Sequence, residues 1–385
     1  MIAPTIPIVL SGFAFAGWLV VAAVFLYASR KTTSLADYSP DGETPLPRLS
    51  IVVPALNEEA TVEPAMRSLL ALDHPELEVI AVDDRSTDRT GEILDRLAAD
   101  SPMLTVIHVT ELPKGWLGKT HALHVGGLRA SGEWILFTDA DVQFSPDSLR
   151  RAMRCIQMRG VDHLVAFPEM DVRGFWETLY VAFFGAMFTL YARPWEASNP
   201  RSNAYIGVGA FNLVRVGLYR SFGGHAALPM DIADDVKLGK MMKQSGGRQE
   251  CVTAEGLVRV RWIAGLRGAI LGGEKNMFAG VNYNPILMIR TTIALSIGGI
   301  WPAIGLFVGP PMSQALCAGT LLAMAATVRN GGFLPVSRLY GLAYPLGAVI
   351  FLYAMLRSMF MAYIRGGVVW RGTLYRLDEL RKGMV

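Results

Sequence analysis

Long apolar runs open and close the chain, and a patterned mixed stretch lies between them. Residues 6–28 carry no charge and are long enough to cross a hydrocarbon core of about 30 Å. Arg30 and Lys31 follow at once, so the N-terminus is expected outside and the chain after Lys31 in the cytoplasm. No charged segment precedes the run, which favours a retained anchor (1–31) over a cleaved signal peptide. Residues 32–47, with Pro40, Gly42, Pro45 and Pro47, read as a linker.

From Leu49 the period changes. Short β-rich runs (49–54, 78–83, 104–108, 134–138) alternate with helical stretches (58–72, 87–100, 119–130, 146–157). Such alternation predicts an α/β domain over 48–268, a mostly parallel sheet covered on both faces. Ligands then bind outside the carboxyl ends of the strands, where Asn57-Glu58, Asp83-Asp84 and Asp139-Ala140-Asp141 fall. Ser145-Pro146-Asp147 reads as N-cap, N1 and N2 of the next helix. The aromatic run 175–191 reads as a helix lying on a membrane surface. Candidate spans at 291–308, 312–328 and 341–361 make 269–364 a membrane segment, and 365–385 is a basic tail. One span before the domain and three after it place that tail outside, against the positive-inside rule. A re-entrant segment or an outward tail reconciles the two.

Composition supports this division. Of 385 residues 52% are hydrophobic and 18% charged, against about 45–50% and about 25% for an ordinary soluble domain. A formal charge of +3 gives no reason to expect nucleic acid as a partner. Cys155, Cys251 and Cys317 lie far apart, with neither disulfide nor zinc spacing.

The chemistry centres on Asp139 and Asp141. Two carboxylates spaced i, i+2 where a strand ends can converge on one hard divalent cation and the phosphates it bridges; a solvated turn also accommodates them. Asp83 and Asp84 can accept from a nucleobase or a ribose, while Ser86, Thr87 and Asp88 cap the following helix. The loop 113–119 offers backbone N–H groups and Lys119 to phosphate. Asp234 and Asp235 either complement a helix dipole or hold a general base against an acceptor hydroxyl. Arg261-Trp262 sets a cation beside an indole face. His121, His124 and His225 show no metal spacing and read as structural.

In order, Pro54-Ala55-Leu56-Asn57-Glu58-Glu59, Val82 to Thr90, Gly118-Lys119, Asp139-Ala140-Asp141, Phe222-Gly223-Gly224 and Asp234-Asp235-Val236-Lys237-Leu238 resemble the inverting family-2 glycosyltransferases of GT-A fold, over roughly residues 49–265. The ends resemble a bacterial membrane group of hopene-associated, carotenoid and ceramide-glucosyltransferase type, through the run 112–119, Phe175-Trp176-Glu177 and Trp370-Arg371-Gly372. The resemblance implies a multi-pass enzyme of the bacterial inner membrane with a cytoplasmic catalytic domain. It implies a hexosyltransferase that uses Mg²⁺ or Mn²⁺, a nucleotide-sugar (a UDP-sugar ahead of a GDP-sugar) and a lipid hydroxyl. Pro54, Asn57, Glu58, Asp83, Asp84, Lys119, Asp139, Arg261 and Trp262 then bind substrate. Asp139 and Asp141 handle metal-diphosphate, and Asp235 is the base with Asp234 beside it. Val258 stands where a (Q/R)xxRW motif needs Gln or Arg, which argues against a processive polysaccharide synthase. His124 replaces a common asparagine. A scaffold without activity is expected to have lost Asp139, Asp141 or Asp235. A transporter needs ionisable residues at the middle of its spans, and the candidate spans have none there.

Overall fold

The computed structural model describes residues 5–331 and 336–383; residues 1–4 of the expected anchor and 384–385 of the expected tail lie outside them. Two compact units emerge. The first comprises 32–171 and 193–261 together with 382–385, and the second 1–31, 172–192 and 262–381.

The first unit is built on one mixed, mostly parallel sheet. Its strands are β1 (Thr33–Ser34), β2 (Leu49–Ala55), β3 (Leu77–Asp84), β4 (Leu104–Val109), β5 (Trp134–Phe137), β6 (Gln143–Phe144), β7 (His163–Met170), β8 (Asn212–Arg215) and β9 (Gln249–Val260). They lie in the order β1-β9-β7-β8-β5-β2-β3-β4, with β6 beside β9. The four strands expected from the alternation are all present. β6 to β9 escaped sequence reading, because two are very short and β9 carries polar residues along its length. Only β8, against β5 and β7, and β6, against β9, run antiparallel.

Ile51, Val52 and Val53 of β2 are all fully buried, as expected for a strand covered on both faces. The helix Gly118–Arg129 packs closely over β2 and β3. Gly126 makes this possible, since a Cβ there would collide with Val52. The helix expected from 146 begins at Ser148, with Asp147 as its cap residue. Pro146 and Ser145 form the preceding turn, closed by the Ser148 N–H on Ser145 O at 3.1 Å. The proline-rich stretch 32–47 is laid against this unit: Leu35 is fully buried, and Arg154 donates to the carbonyls of Gly42 and Thr44, both at 2.6 Å.

The second unit is helical. Among the described residues four helices are long and apolar enough to cross a membrane: Thr5–Lys31, Pro285–Val308, Pro311–Val328 and Tyr344–Ile364. A π-turn at Ser296–Ile300 interrupts the second. There the Gly298 carbonyl, whose helical donor four residues on would be the N–H that Pro302 lacks, accepts from the Trp18 indole at 2.8 Å. Helix Gly174–Ala192 buries Tyr180 and Phe183, with the Phe183 ring on Tyr344 and Phe351. Buried Glu177 accepts from the Arg173 N–H at 2.9 Å and the Gly265 N–H at 2.6 Å, joining the starts of two helices.

At the carboxyl edge of the sheet, β3 and β4 bring Asp83 opposite His108. His108 Nδ1 lies 2.9 Å from Asp83 and Nε2 lies 2.9 Å from Asp95. These two carboxylates raise the His108 pKa, because only the imidazolium can donate from both nitrogens. A raised folded-state value gives stability that is complete below the unfolded value of about 6.5 and is lost as pH rises through the folded one. Thermal melts between pH 5.5 and 8.5 should therefore show a decline in wild type that His108→Gln flattens. Its size is a few degrees at most, since the ring is 43% exposed and exposed pairs contribute about 1 kcal/mol or less. Parallel declines in both proteins would remove this role from His108.

Candidate active site

The carboxyl ends of β2, β3 and β5 lie side by side, with Ala55 in register with Asp83 and Val52 with Phe137. The loops that leave them carry most of the residues singled out in the sequence.

Beyond β2, Asn57 adopts a positive φ of 53°, which asparagine tolerates better than most residues. Its side-chain oxygen accepts from the Thr87 N–H at 2.8 Å, and its own N–H donates to Ser86 Oγ at 3.1 Å. Glu58 N–H reaches Thr90 Oγ1 at 2.7 Å. Asn57 and Glu58 thus tie the β2 loop to the β3 loop. Pro54, in β2 opposite Val82, sets the approach to this loop.

Asp83 and Asp84 are both buried. Asp84 takes both nitrogens of the Arg85 fork, at 2.7 and 2.9 Å. Asp83 is held by His108 and by the Ser86 N–H at 3.3 Å. Asp83 therefore keeps the less occupied carboxylate, one oxygen of which meets only a long bond.

Lys119 stands at the start of the helix Gly118–Arg129. Its ammonium is 2.7 Å from Asp139 and 3.7 Å from Asp234. Burial works against the charge, but Asp139, Asp234 and Asp235 outweigh it and raise the lysine pKa. The strand-end motif and the later acidic pair, remote in sequence, thereby share one cation. Beside it, Asp141 is pushed up to about 7 by burial and by the neighbouring charges of Asp139 and Glu58.

Asp234 and Asp235 open the helix Asp234–Gln244. The Asp235 carboxylate accepts from the Gly209 N–H and from the Val236 N–H, both at 2.8 Å. Burial raises its pKa against the opposing pull of Lys119 and of these two N–H groups. Asp231 lies buried just upstream.

Gly209 is the residue that sequence reading missed. A Cβ there would stand 2.7 Å from Asp139 Oδ2 and 3.3 Å from Lys119 Nζ. Only glycine combines an N–H on Asp235 with room for that ion pair. The signal was the pattern Gly207-Val208-Gly209-Ala210, which no helix or strand explains. Asn212 was missed too: its amide donates to Asp235 O at 3.2 Å, and buried His163 hydrogen-bonds both it and Gln249.

The three histidines have structural surroundings. His121 and His124 pack on Trp116. His225 is pushed down to about 3 by burial, by Lys119 and by His124, and it bonds the Tyr219 hydroxyl at 2.8 Å. Trp262 packs its ring on Phe184 at 4.6 Å. Arg261 ends the segment 193–261 of the sheet unit, and Trp262 begins the segment 262–381 of the helical one.

Among the described residues no three His, Cys, Asp or Glu side chains cluster as a metal cage. Asp139 and Asp141 nevertheless form an oxygen donor pair whose mutual repulsion a cation would relieve. Two carboxylates suit an ion that takes its remaining ligands from phosphate and water.

Comparison with known proteins agrees with this geometry. Residues 50–217 match the family model described as glycosyl transferase family 2. A beta-monoglucosyldiacylglycerol synthase from Synechocystis sp. is 35% identical over 39% of this chain, and the match covers 33% of that protein's length. A 4,4'-diaponeurosporenoate glycosyltransferase from Staphylococcus aureus is 24% identical over 86% of this chain and 89% of its own. The fold resembles that of a mannosyltransferase from Pyrobaculum calidifontis, solved with GDP-Man and Mn²⁺. There the TM-score is 0.61 and the identity 21%, over 92% of this chain and 99% of that one. The sheet unit is thus of GT-A type, and its residues 50–217 are similar to the glycosyl transferase family 2 domain.

Proposed function

We propose that this chain is a metal-dependent, inverting glycosyltransferase that moves a sugar from a nucleotide-sugar to a hydroxyl of a membrane lipid. The observation that carries the reading is the cluster around Lys119, which gathers Asp139, Asp234 and Asp235 at the ligand-binding edge of the sheet. The relatives named for diacylglycerol and carotenoid products, and the four helices able to cross a membrane, support a lipid acceptor. They also support a location in a bacterial membrane, and Arg30-Lys31 directly after the first of these helices favours the inner membrane with the sheet unit on the cytoplasmic side.

In this reading Asp83 holds the nucleoside and Asp84 fixes Arg85 beside it. Asp139 and Asp141 would hold a divalent cation, which when bound neutralises the leaving diphosphate without a proton. Lys119 adds a second positive charge there. Asp235 takes the acceptor's proton: its burial favours the neutral form, so it gains basicity over an exposed aspartate. Single displacement at the anomeric carbon then inverts the sugar. The mannosyltransferase of similar fold was solved with GDP-Man; a UDP-sugar is our preferred donor, on the family resemblance alone.

Asp235→Asn keeps the shape and removes the basicity. Transfer should fall by roughly 10²–10⁴-fold with nucleotide affinity little changed. Near wild-type transfer, or loss of nucleotide binding instead, would move the base elsewhere, with Asp231 next. Asp141→Ala should abolish the EDTA-sensitive part of nucleotide affinity while circular dichroism stays native; an affinity that EDTA never alters would exclude the metal role. Gly209→Ala should cost transfer by a factor of about 10² or more, through displacement of Asp139 and Lys119. Full activity in that variant would show that the ion pair can shift without harm.

A further inference from the structure

A basic groove in the helical unit takes no part in the transfer chemistry. On helix Gly265–Gly280, Leu266, Arg267, Ile270 and Leu271 recur at helical spacing and so share one face. With Tyr353 and Arg357 of helix Tyr344–Ile364 they line an open groove of about 430 Å³. Its wall is apolar and partly bare: Leu271 is 49% exposed.

The charges in the groove are unbalanced. Arg357 donates Nε to Glu274 at 2.8 Å, and Arg365 donates to the other oxygen of the same carboxylate at 2.6 Å. Arg267 has no hydrogen-bond or ion-pair partner among the described residues. Three arginines against one glutamate leave two positive charges beside an apolar wall. Lys275, on the same helix, rests on the Trp370 ring at 4.4 Å.

Position adds to charge. Arg357 lies seven residues before the end of an apolar helix able to cross a membrane, which is about 10 Å of helix. A guanidinium there keeps its stem among hydrocarbon and its head at the polar boundary. Basic pockets between membrane helices are suited to lipid head groups, and guanidinium forks match phosphate oxygens in pairs.

We propose that this groove binds an anionic phospholipid of the bilayer. Its phosphate lies between Arg267 and Arg357, and an acyl chain lies along Leu266, Ile270 and Leu271. A zwitterionic lipid offers the same phosphate but brings its own ammonium, so it leaves the surplus charge of the groove unanswered. The net charge of the head group is therefore what the site selects.

The test uses the full chain in a neutral detergent, titrated with phosphatidylglycerol or phosphatidylcholine in mixed micelles. Retained lipid is read by native mass spectrometry, and the melting temperature is followed in parallel. Phosphatidylglycerol should bind saturably and raise the melting temperature, with both effects weakening at high salt; phosphatidylcholine should do neither. Arg267→Gln should melt like wild type without lipid and bind phosphatidylglycerol about tenfold or more weakly. Arg357→Gln alone would leave partly buried Glu274 short of a partner, so the second variant is the pair Glu274→Gln with Arg357→Gln. Loss of phosphatidylglycerol binding in that pair supports the site. Equal binding of the two lipids, binding of neither, or wild-type affinity in both variants overturns it.

Discussion

One partly buried ammonium organises the acidic end of the sheet unit. Without Lys119, the carboxylates of Asp139, Asp234 and Asp235 would crowd into a partly dry volume, where like charges repel far more strongly than in water. With it, a residue at a strand end and a residue at a helix start nearly a hundred positions later are held within reach of one atom. The cost of burying the lysine is offset only while its partners are ionised. Position and charge state at this site are therefore one property.

The surrounding loops follow the same economy of polar groups. Several carboxylates at this edge already have donors: Arg85 for Asp84, His108 and Ser86 for Asp83, and backbone N–H groups for Asp235. Buried polar groups are costly unless paired, so the edge is preorganised in the absence of ligand. A ligand that enters must add to these bonds or exchange with them. Asp83, whose bond to Ser86 is long, is the place where exchange costs least.

Much of this was legible in the sequence, and the reason is local. β2, β3, β4 and β5 are apolar runs followed by acids or asparagine, and both the strands and their carboxyl ends can be read without knowing the fold. Gly209 and Asn212 could not be found that way. Their roles come from contact with Asp235 across more than twenty residues of chain; the pattern Gly207-Val208-Gly209-Ala210 marks an unusual stretch but does not say which atoms a Cβ there would meet. The same holds for β6, β8 and β9, whose partners lie far away and whose short or polar sequences show no period, whereas β7 is an apolar run of the same kind as β2. The start of the helix at Ser148 was misplaced because Ser-Pro-Asp suits a turn as well as a cap. Asn57 and Glu58 were expected at ligand; in the structure they tie together the two loops that frame the site, a role compatible with a ligand contact but invisible in a motif.

The division of labour between Asp234 and Asp235 follows from their partners. Asp234 is nearly sealed and faces Lys119, so its charge is part of what holds the lysine. Asp235 receives one N–H on each oxygen, which fixes the direction of the carboxylate and leaves each oxygen a lone pair. Those N–H groups and Lys119 stabilise the anion, while burial destabilises it and prevails. A carboxylate that is oriented, ionised with effort and more basic than one in water is suited to receive a proton. In the proposed reading the neighbour sets the field and Asp235 meets the hydroxyl. Because both share one cation, each feels the other's titration, and the proton belongs to the pair as much as to either member.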